Sequence, residues 1–376
     1  MNKHFLWLAI LLAGCGAKDN SEPPAPLIES SSIQQLSPKW SASTRVDIRK
    51  QYLKLTPAVS DDKIFVASQR GNIQTFQLDN GKSLWDKSYD ITISSGVGAG
   101  GKSLAVGGNK GEILLLNQED GKEIWRANVG GEVLVAPQIG SGIVAVRSGN
   151  GKLTALDSHD GHRLWSYERP VPALSLRGTS APLIEGPLIF VGMDNGKVAA
   201  LDVKSGKPLW EGQLSQPHGK TELERMVDID ADLQLSDGAI YVVAYQGKLS
   251  AIVATTGQII WERDLSSYAG FTLDHKHLYI SDMYSQIHAY DRFNGGSLWK
   301  QDKLRARSLT QPVDIGSYLA VGDFEGYVHW IRKEDGKIIG RTPTDSNGIR
   351  TPPMVVNRQI LVLGNSGYLY LLDPPK

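Results

Sequence analysis

A fifteen-residue phrase returns along this chain. It reads GNIQTFQLDNGKSLW at residues 71–85, GKLTALDSHDGHRLW at 151–165 and GKVAALDVKSGKPLW at 196–210. Self-similarity at a fixed period restricts a chain to architectures in which one small unit is repeated. The leading glycine falls at Gly71, Gly111, Gly151, Gly196, Gly247, Gly326 and Gly367, with Ser285 filling one slot. These eight registers are spaced 40, 40, 45, 51, 38, 41 and 41 residues apart. Ten positions on, the first seven carry Gly81, Gly121, Gly161, Gly206, Gly257, Gly295 and Gly336. Fourteen positions on, the first six carry Trp85, Trp125, Trp165, Trp210, Trp261 and Trp299; the seventh has Gly340 instead.

Each part of the phrase has a local physical meaning. Five or six residues after the leading glycine alternate or run apolar, as in KLTAL and YLYLL, which reads as a strand. Tight hairpins need a residue at positive φ, and DNG, EDG, KSG, TTG and FNG supply it. A second short strand then ends in Trp. Upstream lie two more runs and a turn, as in LTPAVSDDKIFVAS, often opened by a proline that suits a strand start. Each unit is therefore four antiparallel strands, and the expected fold is an all-β, eight-bladed β-propeller over residues 39–376. Those residues give about 42 per unit, within the range of known blade repeats. The eighth unit stops at GYLYLLDPPK without a final strand, while Trp40 stands ahead of the first complete unit. The N-terminal strand bearing Trp40 is thus expected to complete the last blade. A blade cannot bury both its faces alone, so the tryptophans, Trp40 included, are read as apolar anchors docking each blade on a neighbour.

The spacing G-x4-[LIY]-[DN]-x3-G-x3-W resembles the repeat of quinoprotein dehydrogenases, the propellers that carry pyrroloquinoline quinone. That family is longer and usually has adjacent cysteines joined beside the cofactor, plus a calcium site. Cys15 is the sole cysteine here, so the disulfide part of the pattern is missing and no cofactor is expected. Other chemistry is equally thin. Asp228, Asp230 and Asp232 imitate the start of an EF-hand loop, but Leu233 and Ala239 occupy the required glycine and glutamate positions. The close histidine pairs, His159/His162 and His275/His277, read as solvated turn residues. No nucleophile elbow, Walker loop or His-Glu-x-x-His stands in the chain. With 40 basic and 40 acidic residues, the chain offers no electrostatic case for nucleic acid. It is read as a non-enzyme, with no metal site.

The N-terminus MNKHFLWLAILLAGCG joins one lysine to an apolar run too short to span a bilayer, as a secretory signal does. Its LAGC resembles the lipobox of bacterial lipoproteins. The resemblance implies a signal peptide over 1–14, cleavage before Cys15 and acylation of that residue. Gly16, where an aspartate would imply inner-membrane retention, favours the outer membrane. Residues 15–38, polar and rich in Ser and Pro, are expected to be a flexible tether.

Register spacing swells between Trp165 and Gly247, and a propeller's function resides in the loops that break its repeat. One insertion holds PALSLRG (172–178), the other KTELERMVDIDADLQL (220–235). Arg177 and Asp228 lie nineteen residues before their leading glycines, so they share one end of neighbouring blades. Exposed leucines rimmed by charge suit a protein-binding patch, although the leucines could equally cap the blade while Arg177 pairs locally with an aspartate. Together, the lipobox, tether, repeat and LSLRG and DxD segments resemble the scaffold lipoproteins of the outer-membrane β-barrel assembly (BAM) machinery. The resemblance implies an outer-membrane lipoprotein facing the periplasm. Its implied partner is the periplasmic POTRA domains of BamA, and through BamA the other subunits. Leu174, Leu176, Arg177, Asp228 and Asp230 are the implied contact residues, and unfolded outer-membrane proteins a further partner at the blade edges. The rival readings are a quinoprotein-like periplasmic enzyme and a polysaccharide-binding lipoprotein.

Overall fold

Among the described residues of the computed structural model, the secondary structure consists of thirty-three strands and a single 3-10 turn, Ser30–Ser32. The structure describes residues 22–49, 53–170, 172, 180–216, 220–221 and 224–376. Cys15, Leu174, Leu176 and Arg177 lie outside the described residues. The strands form eight sheets: blades 1–7 at 58–88, 98–128, 138–168, 183–213, 234–264, 270–301 and 313–343, and blade 8 at 354–372. Blade 8 receives its fourth strand from Trp40–Ser43, which pairs antiparallel with Tyr368–Leu372, Trp40 opposite Leu371. The two ends of the chain thus share a sheet and close an eight-bladed ring.

Within a blade the strands run outward in chain order, so the first strands of neighbouring blades lie side by side around the axis. Middle strands are covered on both faces by adjacent blades. Lys152–Asp157 and Lys197–Asp202, for example, are fully buried at their four central positions. Outer strands have only one buried row, as in Arg163–Glu168, where Trp165 and Tyr167 point inward. Burial on both faces explains why third strands read as apolar runs while the fourth alternate.

The fixed tryptophan and glycine belong to one joint. Each indole Nε1 donates to a carbonyl of the following blade: Trp85 to Gln118 at 3.1 Å, Trp165 to Val203 at 2.9 Å, Trp299 to Lys333 at 2.7 Å. Trp40 does the same from blade 8 to Leu78 of blade 1. Beneath each indole lies the hairpin glycine of that following blade, at φ between 62° and 78°. A Cβ on Gly206 would stand 2.5 Å from Trp165, and one on Gly81 2.7 Å from Trp40. Glycine is needed there twice, for the turn and for the ring above it.

The seventh register departs for a structural reason. Blade 8 ends without a hairpin, so it offers no glycine for an indole, and blade 7 carries Gly340 at the matching position. That interface is filled by Trp330, fully buried and bonded to Thr342 Oγ1 at 2.9 Å, with Leu36 packed against it. Leu36 arrives because Gln34–Gln35 adds a fifth strand to blade 7, parallel to Gly340 and Arg341. The tether expected over 15–38 therefore has a different character from Glu22 onward. Ala25 N–H donates to the Arg305 carbonyl at 2.9 Å, Arg341 holds the Ile28 carbonyl at 3.3 Å, and Glu22 pairs with Arg305.

Candidate functional site

The blade-to-blade loops all emerge at one end of the ring; 44–57, entering blade 1, is as long as 169–182, and the neighbouring pair 169–182 and 214–233 enters blades 4 and 5. They are tied to each other and to the ring. Asp232 Oδ1 accepts the Ala181 N–H at 2.7 Å, joining one loop to the other. Tyr245 N–H donates to the Asp228 carbonyl at 2.8 Å. Ile229 lies against Gly192 of blade 4, where any Cβ would come within 2.4 Å of its Cγ2. The insertion before blade 5 is thus seated on blade 4.

Two of the five expected contact residues are described, and neither is on the surface: Asp228 is 0 % and Asp230 3 % exposed. Sequence reasoning placed them in an exposed acidic patch. Their neighbours Met226, Val227, Ile229, Ala231 and Leu233 are buried as well, because the insertion packs down onto the ring. The Asp230 carbonyl accepts a 3.2 Å hydrogen bond from Lys54 Nζ. Lys54 and Asp230 each stand four residues before the first strand of their blades, and blades 1 and 5 face each other across the ring. This contact therefore bridges the channel at its loop end.

A second buried pair adjoins them. Arg147 Nη2 lies 2.6 Å from Asp194 Oδ1, with both side chains almost wholly enclosed. Burial pulls the Arg147 guanidinium down and pushes the Asp194 carboxyl up, each opposed by its partner's charge. Burial also pushes Asp230 up to about 6, partly offset by the charge of Lys54. Neither Asp230 oxygen has a hydrogen-bond partner among the described residues, nor do Nε and Nη1 of Arg147. A buried carboxylate without donors costs stability, and such outliers concentrate at functional sites. Sequence reasoning missed Lys54, Arg147 and Asp194. Only Arg147 had a signal, a lone charge inside the apolar strand run IVAVRS.

The metal-like segment does not assemble a site, since Asp232 is engaged with Ala181 while Asp230 lies next to Lys54. Among the described residues one group has ligand atoms close enough for a cation, Asp157, Asp160 and His162, in an exposed hairpin of blade 3 at the opposite end of the ring. Its His162–Asp160 contact holds the imidazole pKa up and the carboxyl down. The His275/His277 turn carries Asp274, which bonds Lys333 at 2.8 Å and ties blade 6 to blade 7.

Fold and site define the class: an eight-bladed propeller of the quinoprotein-repeat type, with its elaborated loops over blades 4 and 5. A family model described as outer membrane protein assembly factor BamB matches residues 69–301. The Pseudomonas aeruginosa outer membrane protein assembly factor BamB is 46% identical over 370 residues, 98% of this chain and 97% of its own. The Escherichia coli K12 protein of that name is 34% identical over 377 residues, 96% and 95% of the two chains. The crystal structure of BamB from Moraxella catarrhalis superposes with a TM-score of 0.83 at 27% identity, covering 90% of this chain and 99% of that one. A quinohemoprotein alcohol dehydrogenase from Comamonas testosteroni, at 13% identity and TM-score 0.72, shares the fold alone. The chain belongs to the family of the outer membrane protein assembly factor BamB.

Proposed function

We propose that this protein is a non-catalytic scaffold of outer-membrane protein assembly. It is anchored by lipid at Cys15 on the periplasmic face of the outer membrane, and it holds BamA through the loops entering blades 4 and 5. One observation carries the reading. The loops entering blades 4 and 5, the latter the longest of the ring, are adjacent, bonded to each other through Asp232 and Ala181, and seated on a bridged channel. A pre-shaped platform of this kind lowers the ordering cost of binding. Within it the expected residues divide their work. Leu174, Leu176 and Arg177 are the contacts with BamA, whereas buried Asp228 and Asp230 belong to the neighbouring loop that is seated on the ring.

Arg177→Ala should abolish most co-purification of BamA from solubilised membranes while leaving the thermal unfolding midpoint unchanged. Asp228→Ala should weaken it together with stability. Full retention of BamA by both variants would place the docking surface elsewhere.

Docking of unfolded barrel strands on the blade edges also has a supporting observation, since blade 7 already carries Gln34–Gln35 as an added parallel strand. Photocrosslinkers on the outer strands of blades 1–6 should trap unfolded porin, and a clean absence of adducts would remove this second role.

A further inference from the structure

We infer that the loop-end rim of blades 6 and 7 rests on a lipid surface, with the N-terminal segment acting as a short strap that holds it there. This rests on the acylation of Cys15 proposed above.

The strap is fixed along its described length. Leu36 N–H donates to the Arg341 carbonyl at 3.0 Å, Arg341 Nη1 to the Ile28 carbonyl, and Arg307 Nη1 to the Ala25 carbonyl at 3.0 Å. Arg307 is itself clamped by Asp323 and Glu325, and Glu22 closes the run on Arg305 at 2.5 Å. Glu22 stands only seven positions beyond Cys15. Fully extended they reach about 25 Å, against roughly 80 Å if everything from 15 to 38 were free. The anchor therefore leaves the ring beside Arg305, at the loop end of the junction between blades 6 and 7.

The surface at that point differs from the rest of the loop end. The turns joining second and third strands carry no aromatic residue in blades 1–4 and 8, where they read Gln69–Arg70, Asn109–Lys110, Gly149–Asn150, Asp194–Asn195 and Asn365–Ser366. In blades 5–7 they carry Tyr245, Tyr284 and Phe324. Tyr284 is 57% and Phe324 41% exposed, and Tyr268 in the loop before blade 6 adds 43%. The Tyr284 carbonyl accepts the Ala306 N–H, and Phe324 lies under the Arg307 guanidinium at 5.2 Å, so the aromatic arc and the root of the strap are one structure. Exposed Tyr and Phe beside an acyl anchor are suited to the headgroup layer of a bilayer. The charges around the arc carry no basic excess: Lys303, Arg305 and Arg307 stand against Asp302, Glu22, Asp323 and Glu325. Contact is thus aromatic and does not require anionic lipid. A tilt that seats this rim leaves the loops of blades 4 and 5 open to a protein partner.

The test uses the full-length acylated protein. With Cys15 the only native cysteine, and its sulfur acylated, an introduced cysteine is the single reactive thiol. An environment-sensitive fluorophore is placed at Lys303→Cys, or at Glu334→Cys on the opposite end of blade 7, and the protein is inserted into phosphatidylcholine vesicles bearing nitroxide headgroups. The label at 303 should lose most of its emission and the label at 334 little, with no further change on adding anionic lipid. Tyr284→Ser with Phe324→Ser should remove the contrast. Glu22→Arg should reduce it, and Glu22→Arg with Arg305→Glu should restore it. Equal quenching at both positions, or none at 303, overturns the lipid surface and leaves the arc to a protein occupant. Intact mass separates the failures, because a chain lacking the acyl mass sinks the anchoring itself.

Discussion

Asp230 sets a carboxyl group, 3 % exposed, beside Lys54 at the loop end of the channel. A DxD pair in a polar insertion reads as surface charge, yet the carboxylate is enclosed and lacks donors among the described residues. The misreading has a physical source. Burial of a loop depends on what it lies against, and nothing in MVDIDADL announces that Ile229 fits over Gly192. Burial raises the folded pKa to about 6, above the ordinary carboxyl value. The folded protein therefore keeps a proton that the unfolded chain has released, and the associated stability is full at low pH and lost as pH rises through about 6. A shift of this size corresponds to on the order of 2–3 kcal/mol. Asp230→Asn should accordingly raise the urea midpoint at pH 7.5 and flatten the slope of stability between pH 4 and 6. An unchanged slope would mean that another group carries the titration.

The tryptophan–glycine joint was legible at the scale of the element because both halves recur at fixed spacing, ten and fourteen residues from the leading glycine. What could not be read was that they meet across an interface rather than within a blade. Alanine at Gly206 must both hold φ near 67° and displace the Trp165 indole, at a cost of about 2–4 kcal/mol. Trp165→Ala should cost about 3–5 kcal/mol. The double variant should fall well short of the sum, since the clash disappears with the indole; additive losses in denaturant titrations would separate the two residues. The outer strands carry a further device. Residues just before the tryptophan, Leu84, Ile124, Leu164, Leu209, Ile260 and Leu298, sit at a register shift and are exposed. Such bulges twist an outer edge and discourage pairing along its full length. The signal was present as an apolar residue out of step with strand alternation, and it is faint because one residue per strand carries it.

For the whole molecule, blade number and closure followed from counting registers and noticing that Trp40 and GYLYLL each lack a complement. The clamped segment from Glu22 to Leu36 did not follow, because a Ser- and Pro-rich stretch reads alike whether it is free or laid along an edge. The two N-terminal strands predict different losses. Removing residues through Leu36 uncovers Trp330 and Ile339 but leaves the ring closed, so unfolding should stay cooperative with a lower midpoint. Removing residues through Ser43 opens blade 8 and should broaden the transition or abolish soluble protein. Identical behaviour of the two truncations, followed by calorimetry, would contradict closure by Trp40–Ser43.

BamA is expected to meet this protein at the loop end of blades 4 and 5. In-cell photocrosslinking tests it most directly, with the reactive residue placed in turn at Pro172 and Lys220 on that end and at Glu119 and Glu334 on the opposite one. A BamA adduct at 172 and 220 and none at 119 or 334 is the expected result. Adducts at 119 or 334, or their absence from both loop positions, would contradict it.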